Sequence, residues 1–195
     1  PLAKALRRIC ELMIEAAGRP LTAIEIGDIV NHLGTVLSSR RSAQIWLMDD
    51  TNLELADFID AKVGRYENGN EHREQSNNSI LFNSKPERHT IVSLLERILV
   101  GGEPGFINAE EARRRAPDFV GGNPCAEILL PSKGFCNLVQ VIWHRFNDDL
   151  PGLIRAQYIA GRANYRQTCV SMRDGILQLG WDDNQHLLRL CRGKV

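Results

Sequence analysis

Short apolar runs alternating with stretches of helical periodicity constrain this chain more than any other feature. Residues 42–48 form a short, mostly apolar run, and residues 77–83 contain Ile80-Leu81-Phe82. Both read as strands, as do residues 123–130 and 137–143. Between them lie helical patterns. Leu2, Leu6, Ile9, Met13 and Ala16 share one face over residues 2–17, and Gly18 and Pro20 end that helix. Thr22 and Glu25 have the spacing of a capping box, so a second helix starts there and runs to about Leu37. Residues 52–62 read as an amphipathic helix and residues 64–75 as a polar loop. Pro86 suits the first turn of a helix that reaches Val100 and stops at Gly101-Gly102. Asn108 caps a short helix through Arg115, and helical patterns return over residues 153–179 and 182–191. Strands alternating with helices predict an α/β architecture with a substantially parallel sheet or barrel.

The chain has 195 residues and a formal net charge of zero. That length fits one domain or a piece of a larger one. A neutral balance argues against a general binder of nucleic acid or membrane surfaces, because both need a clustered positive field. Arg113-Arg114-Arg115 reads as a solvated helix face, since no aromatic interleaving accompanies it. No apolar run approaches the length that crosses a bilayer, and no secretory signal is present. A chain opening at Pro1 is expected to be an internal segment of a longer polypeptide. The five cysteines are scattered and odd in number, which fits a reducing, cytoplasmic compartment. Cys10, Cys169 and Cys191 fall on helical patterns and are expected to be packing residues. The five histidines share no ligand spacing, so no metal site is expected.

Chemistry concentrates in Asn123-Pro124-Cys125-Ala126-Glu127 and in Cys136 beyond it. On a strand, Asn123, Cys125 and Glu127 would share one face at intervals of ~6–7 Å. A break at residues 130–134 could return Cys136 towards that face. A thiol can carry a radical or act as nucleophile, a carboxylate can move protons, an amide can orient a substrate, and a second thiol can reduce. The alternative is a buried, inert Cys125 with Glu127 facing solvent at a strand end.

The string resembles the Asn-Pro-Cys-x-Glu motif of ribonucleotide reductases, most of all the adenosylcobalamin-dependent (class II) enzymes. The resemblance extends to Arg40-Arg41-Ser42-Ala43-Gln44-Ile45, Ser76-Asn77-Asn78-Ser79-Ile80, Gly102-Glu103-Pro104-Gly105 and Asn164-Tyr165-Arg166-Gln167-Thr168. It implies part of a ten-stranded α/β barrel, with residues 1–195 forming a central segment of that catalytic domain. It implies Cys125 as the thiyl-radical cysteine that takes the 3′ hydrogen of a ribonucleotide, and Glu127 as the group that takes the 3′-hydroxyl proton. Asn123 would hydrogen-bond the substrate, and Cys136 would be one half of the reducing cysteine pair. Asn77, Asn78 and Ser79 are candidate substrate-binding residues, though Asn77 and Asn78 could equally satisfy backbone groups at a strand start; Arg40 and Arg41 could contact phosphate or be surface arginines at a strand start. Adenosylcobalamin is the implied cofactor, with a dNTP or ATP effector and a thioredoxin-like reductant as partners.

The segment at Leu37-Ser38-Ser39-Arg40 is shorter than in the family and lacks its glycine, which weighs against effector control by this chain. No upstream cysteine fits as the partner of Cys136, so the chain is expected to be inactive alone. A class I catalytic subunit and a non-catalytic remnant of such a barrel are the alternatives. A glycyl-radical class III enzyme fits less well, because those generally lack the glutamate matched by Glu127.

Overall fold

The computed structural model describes residues 1–37, 44–134, 136, 138–169 and 181. The chain divides into two compact units. One comprises Pro1–Pro117 with Pro124–Ala126, the other Asp118–Asn123 with Glu127–Val195.

The first unit opens with helices α1 (Leu2–Glu15) and α2 (Ala23–Leu37). The expected capping box is present at the start of α2. The Glu25 amide donates to Thr22 Oγ1 at 3.1 Å, and the Thr22 amide donates back to Glu25 Oε2 at 2.8 Å. Arg19 also bonds this carboxylate and, with the Thr22 amide, holds its pKa down to about 2. Cys10, expected in the core, is exposed on α1. The helix pattern at its position is genuine, but α1 buries only one narrow face, represented by Ala5.

Strand β1 (Gln44–Asp49), helix α3 (Leu55–Asp60), a 3-10 turn at Glu71–Gln75 and strand β2 (Ser76–Phe82) follow. Helix α4 (Arg88–Gly101) leads to strand β3 (Gly105–Asn108) and helix α5 (Ala109–Arg115). The three strands form a parallel sheet in the order β1-β2-β3, with Gln44 opposite Ser76 and Ser79 opposite Gly105. The expected α/β architecture with a parallel sheet is thus observed. Strand β3 was not foreseen, because four residues starting on glycine carry no strand period. Gly102 ends α4 in the left-handed region at φ 77°, as its residue type allows. Asn108 caps α5 as expected, accepting from the Glu111 amide at 2.9 Å.

The core of this unit gathers Met48, Phe58, Ile59, Ile80, Phe82 and Leu94. Trp46 meets Phe58 edge to face at 5.1 Å and lies so close to Gly27 of α2 that any side chain there would collide with its ring. Beside it is a buried charged cluster. Asp28 accepts from Arg73 Nε at 2.6 Å and pairs with His72 Nε2 at 2.9 Å. Burial pushes the Asp28 carboxyl up, but the bonds from Arg73 and His72 outweigh it and leave its pKa below the ordinary value. His32 stacks on His72, with ring centroids 3.9 Å apart.

Strand β2 is apolar at its carboxyl end and polar at its amino end, yet both ends are buried. Ser76 is fully enclosed, and Asn78 and Ser79 are nearly so. Buried polar groups need partners. Ser76 Oγ donates to Asn78 Oδ1 at 3.0 Å, and the Asn78 amide donates to Glu103 Oε2 at 3.1 Å. Lys62 donates to the Ser76 carbonyl and pairs with Glu103 Oε2 at 2.7 Å. Burial lowers the Lys62 pKa against the pull of Glu103. Gly105 sits against this group, where an added Cβ would lie 2.9 Å from Ser79 Oγ.

The second unit holds a two-stranded antiparallel ladder, β4 (Gly121–Gly122) with β5 (Leu129–Leu130), a 3-10 turn at Trp143–Arg145 and helix α6 (Leu150–Gln167). Asp149 caps α6 by accepting from the Gly152 amide at 2.9 Å. Two expected strands are absent. Residues 138–142 have no ladder partner, and residues 123–128 form a loop. The helix expected from residue 153 begins earlier, at Leu150, and its expected part beyond residue 169 lies outside the described residues, as does the helix at 182–191. Cys169, expected as a packing residue, is exposed just past α6; Cys191 lies outside the described residues. Among the described residues, no helix is long and apolar enough to cross a membrane.

Two consequences are measurable. Burial, and then the neighbouring His72, push the His32 pKa down to about 4, with Asp28 opposing and Arg8 and Lys4 adding to the fall. The unfolded chain protonates His32 near pH 6.5 while the folded chain does not, so stability drops as pH falls from ~6.5 towards 4. In thermal melts His32→Phe should lose less stability over that window than the parent; equal losses would count against the assignment. Glu103→Ala leaves the Lys62 ammonium buried without its carboxylate. It should cost about 1–3 kcal/mol in urea unfolding, whereas a surface substitution costs within about 0.5 kcal/mol.

Candidate active site

The stretch from Asn123 to Leu130 does not run as a strand. Gly121 and Gly122 pair with Leu130 and Leu129, and the residues between them turn back on themselves. Pro124 has no N–H to give a ladder, and Ala126 adopts the left-handed region at φ 63°. The period-two alternation that would have put Asn123, Cys125 and Glu127 on one strand face is therefore broken. Cys125 instead occupies a turn, with its side chain exposed. That exposure sets aside the reading of Cys125 as a buried hydrophobe.

Two side chains hold the loop. Asn77 lies on β2 between Ser76 and Asn78 and points to the opposite face of the strand. Its Nδ2 donates to the Pro124 carbonyl at 2.7 Å. Asn123 is buried, and its Oδ1 accepts from the Ile128 amide at 3.0 Å. Asn77, Asn78, Ser79 and Cys125 belong to the first unit; Asn123, Glu127 and Cys136 belong to the second. Glu127 is exposed, and Cys136 is half-buried after the expected break, where the Gly134 amide donates to the Pro131 carbonyl at 2.9 Å. Asn78 and Ser79 are enclosed in the polar end of β2. Arg40 and Arg41 lie outside the described residues.

Sequence reasoning missed Lys62 and Glu103, the ion pair behind β2. Glu103 entered only within the resembling string Gly102-Glu103-Pro104-Gly105, and its local signal was a carboxylate set between a helix end and a short apolar run. The Arg113–Arg115 run makes exposed bonds, Arg113 to Asn83 Oδ1 at 3.1 Å and Arg114 to Glu111 of its own helix at 2.6 Å, as a solvated helix face does. Among the described residues, no three His, Cys, Asp or Glu side chains gather as metal ligands.

A surface thiol on a turn held by backbone and amide bonds is suited to meeting a substrate or a second redox group. The chain is 36% identical over 155 residues to the adenosylcobalamin-dependent ribonucleoside-triphosphate reductase of Lactobacillus gasseri, a match that takes in 72% of this chain and 20% of that protein. With the same two coverages, it is 36% identical over 157 residues to the protein so named in Lacticaseibacillus paracasei, and 32% identical over 157 residues to that of Euglena gracilis. No family model and no solved structure matches the chain. The chain spans 20% of the length of the curated relatives it matches. By sequence, then, this chain is related to the ribonucleotide reductases, on the side of the adenosylcobalamin-dependent enzymes.

Proposed function

We propose that this chain carries part of the radical chemistry of ribonucleotide reduction, within a catalytic α/β barrel of ten strands to which its parallel sheet contributes. The observation that carries the reading is the exposed Cys125 thiol, held on a turn inside the string Asn123-Pro124-Cys125-Ala126-Glu127. As a thiyl radical, Cys125 takes the 3′ hydrogen atom of the ribose and becomes a thiol, leaving the radical on the sugar. Glu127 accepts the 3′-hydroxyl proton while the 2′-hydroxyl, protonated, departs as water. Asn123 orients the sugar. Cys136 and a second thiol together supply two electrons and two protons, for the departing water and the 2′ carbon, and end as a disulfide; Glu127 returns its proton to the 3′ oxygen and Cys125 returns its hydrogen to the 3′ carbon. A thioredoxin-like reductant then restores the thiol pair.

Adenosylcobalamin, when bound, supplies the radical that turns the Cys125 thiol into a thiyl. The point of fit on this chain is the exposure of Cys125, which leaves its sulfur open to a radical source. No described residue is assigned to the corrin ring. The substrate is a ribonucleoside triphosphate or diphosphate, and a dNTP or ATP effector acts on the whole enzyme. The setting is cytoplasmic. No cysteine of this chain is matched to the second reducing thiol, so on this reading the chain alone is inactive.

The complete gene product, assayed with a ribonucleoside triphosphate, adenosylcobalamin and a dithiol, provides the test. Cys125→Ser should lower turnover at least about a thousandfold and leave nucleotide binding within about twofold, as expected for a group needed only in the chemical step. Retained turnover would remove Cys125 from its role.

A further inference from the structure

Asn77 was expected either at the substrate or satisfying backbone groups, and its amide bonds the backbone that carries Cys125. The Pro124 carbonyl belongs to the same peptide unit as the Cys125 nitrogen. A 2.7 Å bond from Asn77 Nδ2 to that oxygen therefore fixes the plane from which the Cys125 side chain departs. The donor itself is rigidly placed. The backbone on either side of it is held along the strand edge, where Lys62 donates to the Ser76 carbonyl and the Asn78 amide donates to Glu103, while β1 pairs with the other edge, Gln44 opposite Ser76 and Trp46 opposite Asn78.

We infer that Asn77 is a positioning residue for Cys125, and that the Lys62–Glu103 pair acts behind it by fixing the end of β2 from which Asn77 reaches the Pro124 carbonyl. This rests on the reading of Cys125 as the radical cysteine. The need is physical: hydrogen-atom transfer requires the sulfur close to the sugar carbon, and a turn has no ladder of its own to hold it there. Ala126 in the left-handed region follows directly, so the turn is braced on one side by Asn77 and on the other by a strained backbone.

The test uses the isotope-labelled complete gene product and two variants, Asn77→Asp, which keeps the shape and loses the donor, and Asn77→Ser, which shortens the side chain. In both, the Pro124 carbonyl carbon and Cys125 amide nitrogen resonances should move. The Cys125 order parameter should fall from the rigid range of about 0.85 towards about 0.6. The rate of Cys125 alkylation by iodoacetamide, referred to the exposed Cys10 in the same molecule, should change by at least about threefold. The amide resonances of β1 and β3 should stay in place. Unchanged Cys125 signals in both variants overturn the inference. So does collapse of the whole β-sheet spectrum in both, which would make Asn77 a fold residue alone. Either result leaves the radical reading untouched. Turnover by the Cys125→Ser gene product would instead remove that reading and leave the anchoring result standing.

Discussion

The Lys62–Glu103 ion pair is the interaction on which the rest of the first unit depends. Strand β2 pairs with β1 from Ser76 onward, but β3 joins it only from Ser79, so its buried amino end has no described strand on that edge to meet its backbone groups. Ser76, Asn78 and Ser79 would each be costly there without partners. The pair answers that cost by supplying a cation to the Ser76 carbonyl and an anion to the Asn78 amide. Apolar residues of the same shape could be as stable, so the polar arrangement adds specificity more than raw stability. A one-residue slip of β2 would turn Ser76 and Asn78 to the other face and break both bonds, and the register opposite Gln44 and Gly105 would go with them.

What the sequence disclosed follows from how far each interaction reaches along the chain. The start of α2 and the start of α5 are set by side chains three residues from the amides they meet, and both were legible. The end of α4 is set by one glycine. The Lys62–Glu103 pair joins residues far apart in sequence, and no local period announces it. The loop at 123–128 was misread for a different reason. Ile128, Leu129 and Leu130 have the apolar look of a buried strand, and they outweighed Pro124, whose missing N–H already argued against a ladder through that position. The residue types of the candidate site were therefore readable, while their geometry was not.

That change of geometry alters what holds the thiol. A cysteine in the middle of a core strand is fixed by its ladder and is enclosed by it. On a turn, Cys125 gains exposure and gives up that support. Support returns from outside the turn, through a strand side chain that reaches the preceding carbonyl and through the fixed φ of Pro124. A reactive group that must be both reachable and still is well served by such an arrangement, because the sheet supplies the stillness and the turn supplies the access.

The same reasoning constrains Asn123. Its buried side chain accepts from the Ile128 amide, so its carbonyl oxygen faces the loop backbone and its Nδ2 group faces the other way. An amide held like this can serve a substrate as a hydrogen-bond donor, and the ribose hydroxyl oxygens are acceptors of the right kind. On the proposed reading, the bond that shapes the loop would also select which half of the Asn123 amide meets the sugar. A carboxylate at this position would keep the acceptor for Ile128 and lose the donor, so on that reading an amide suits the position and an acid does not.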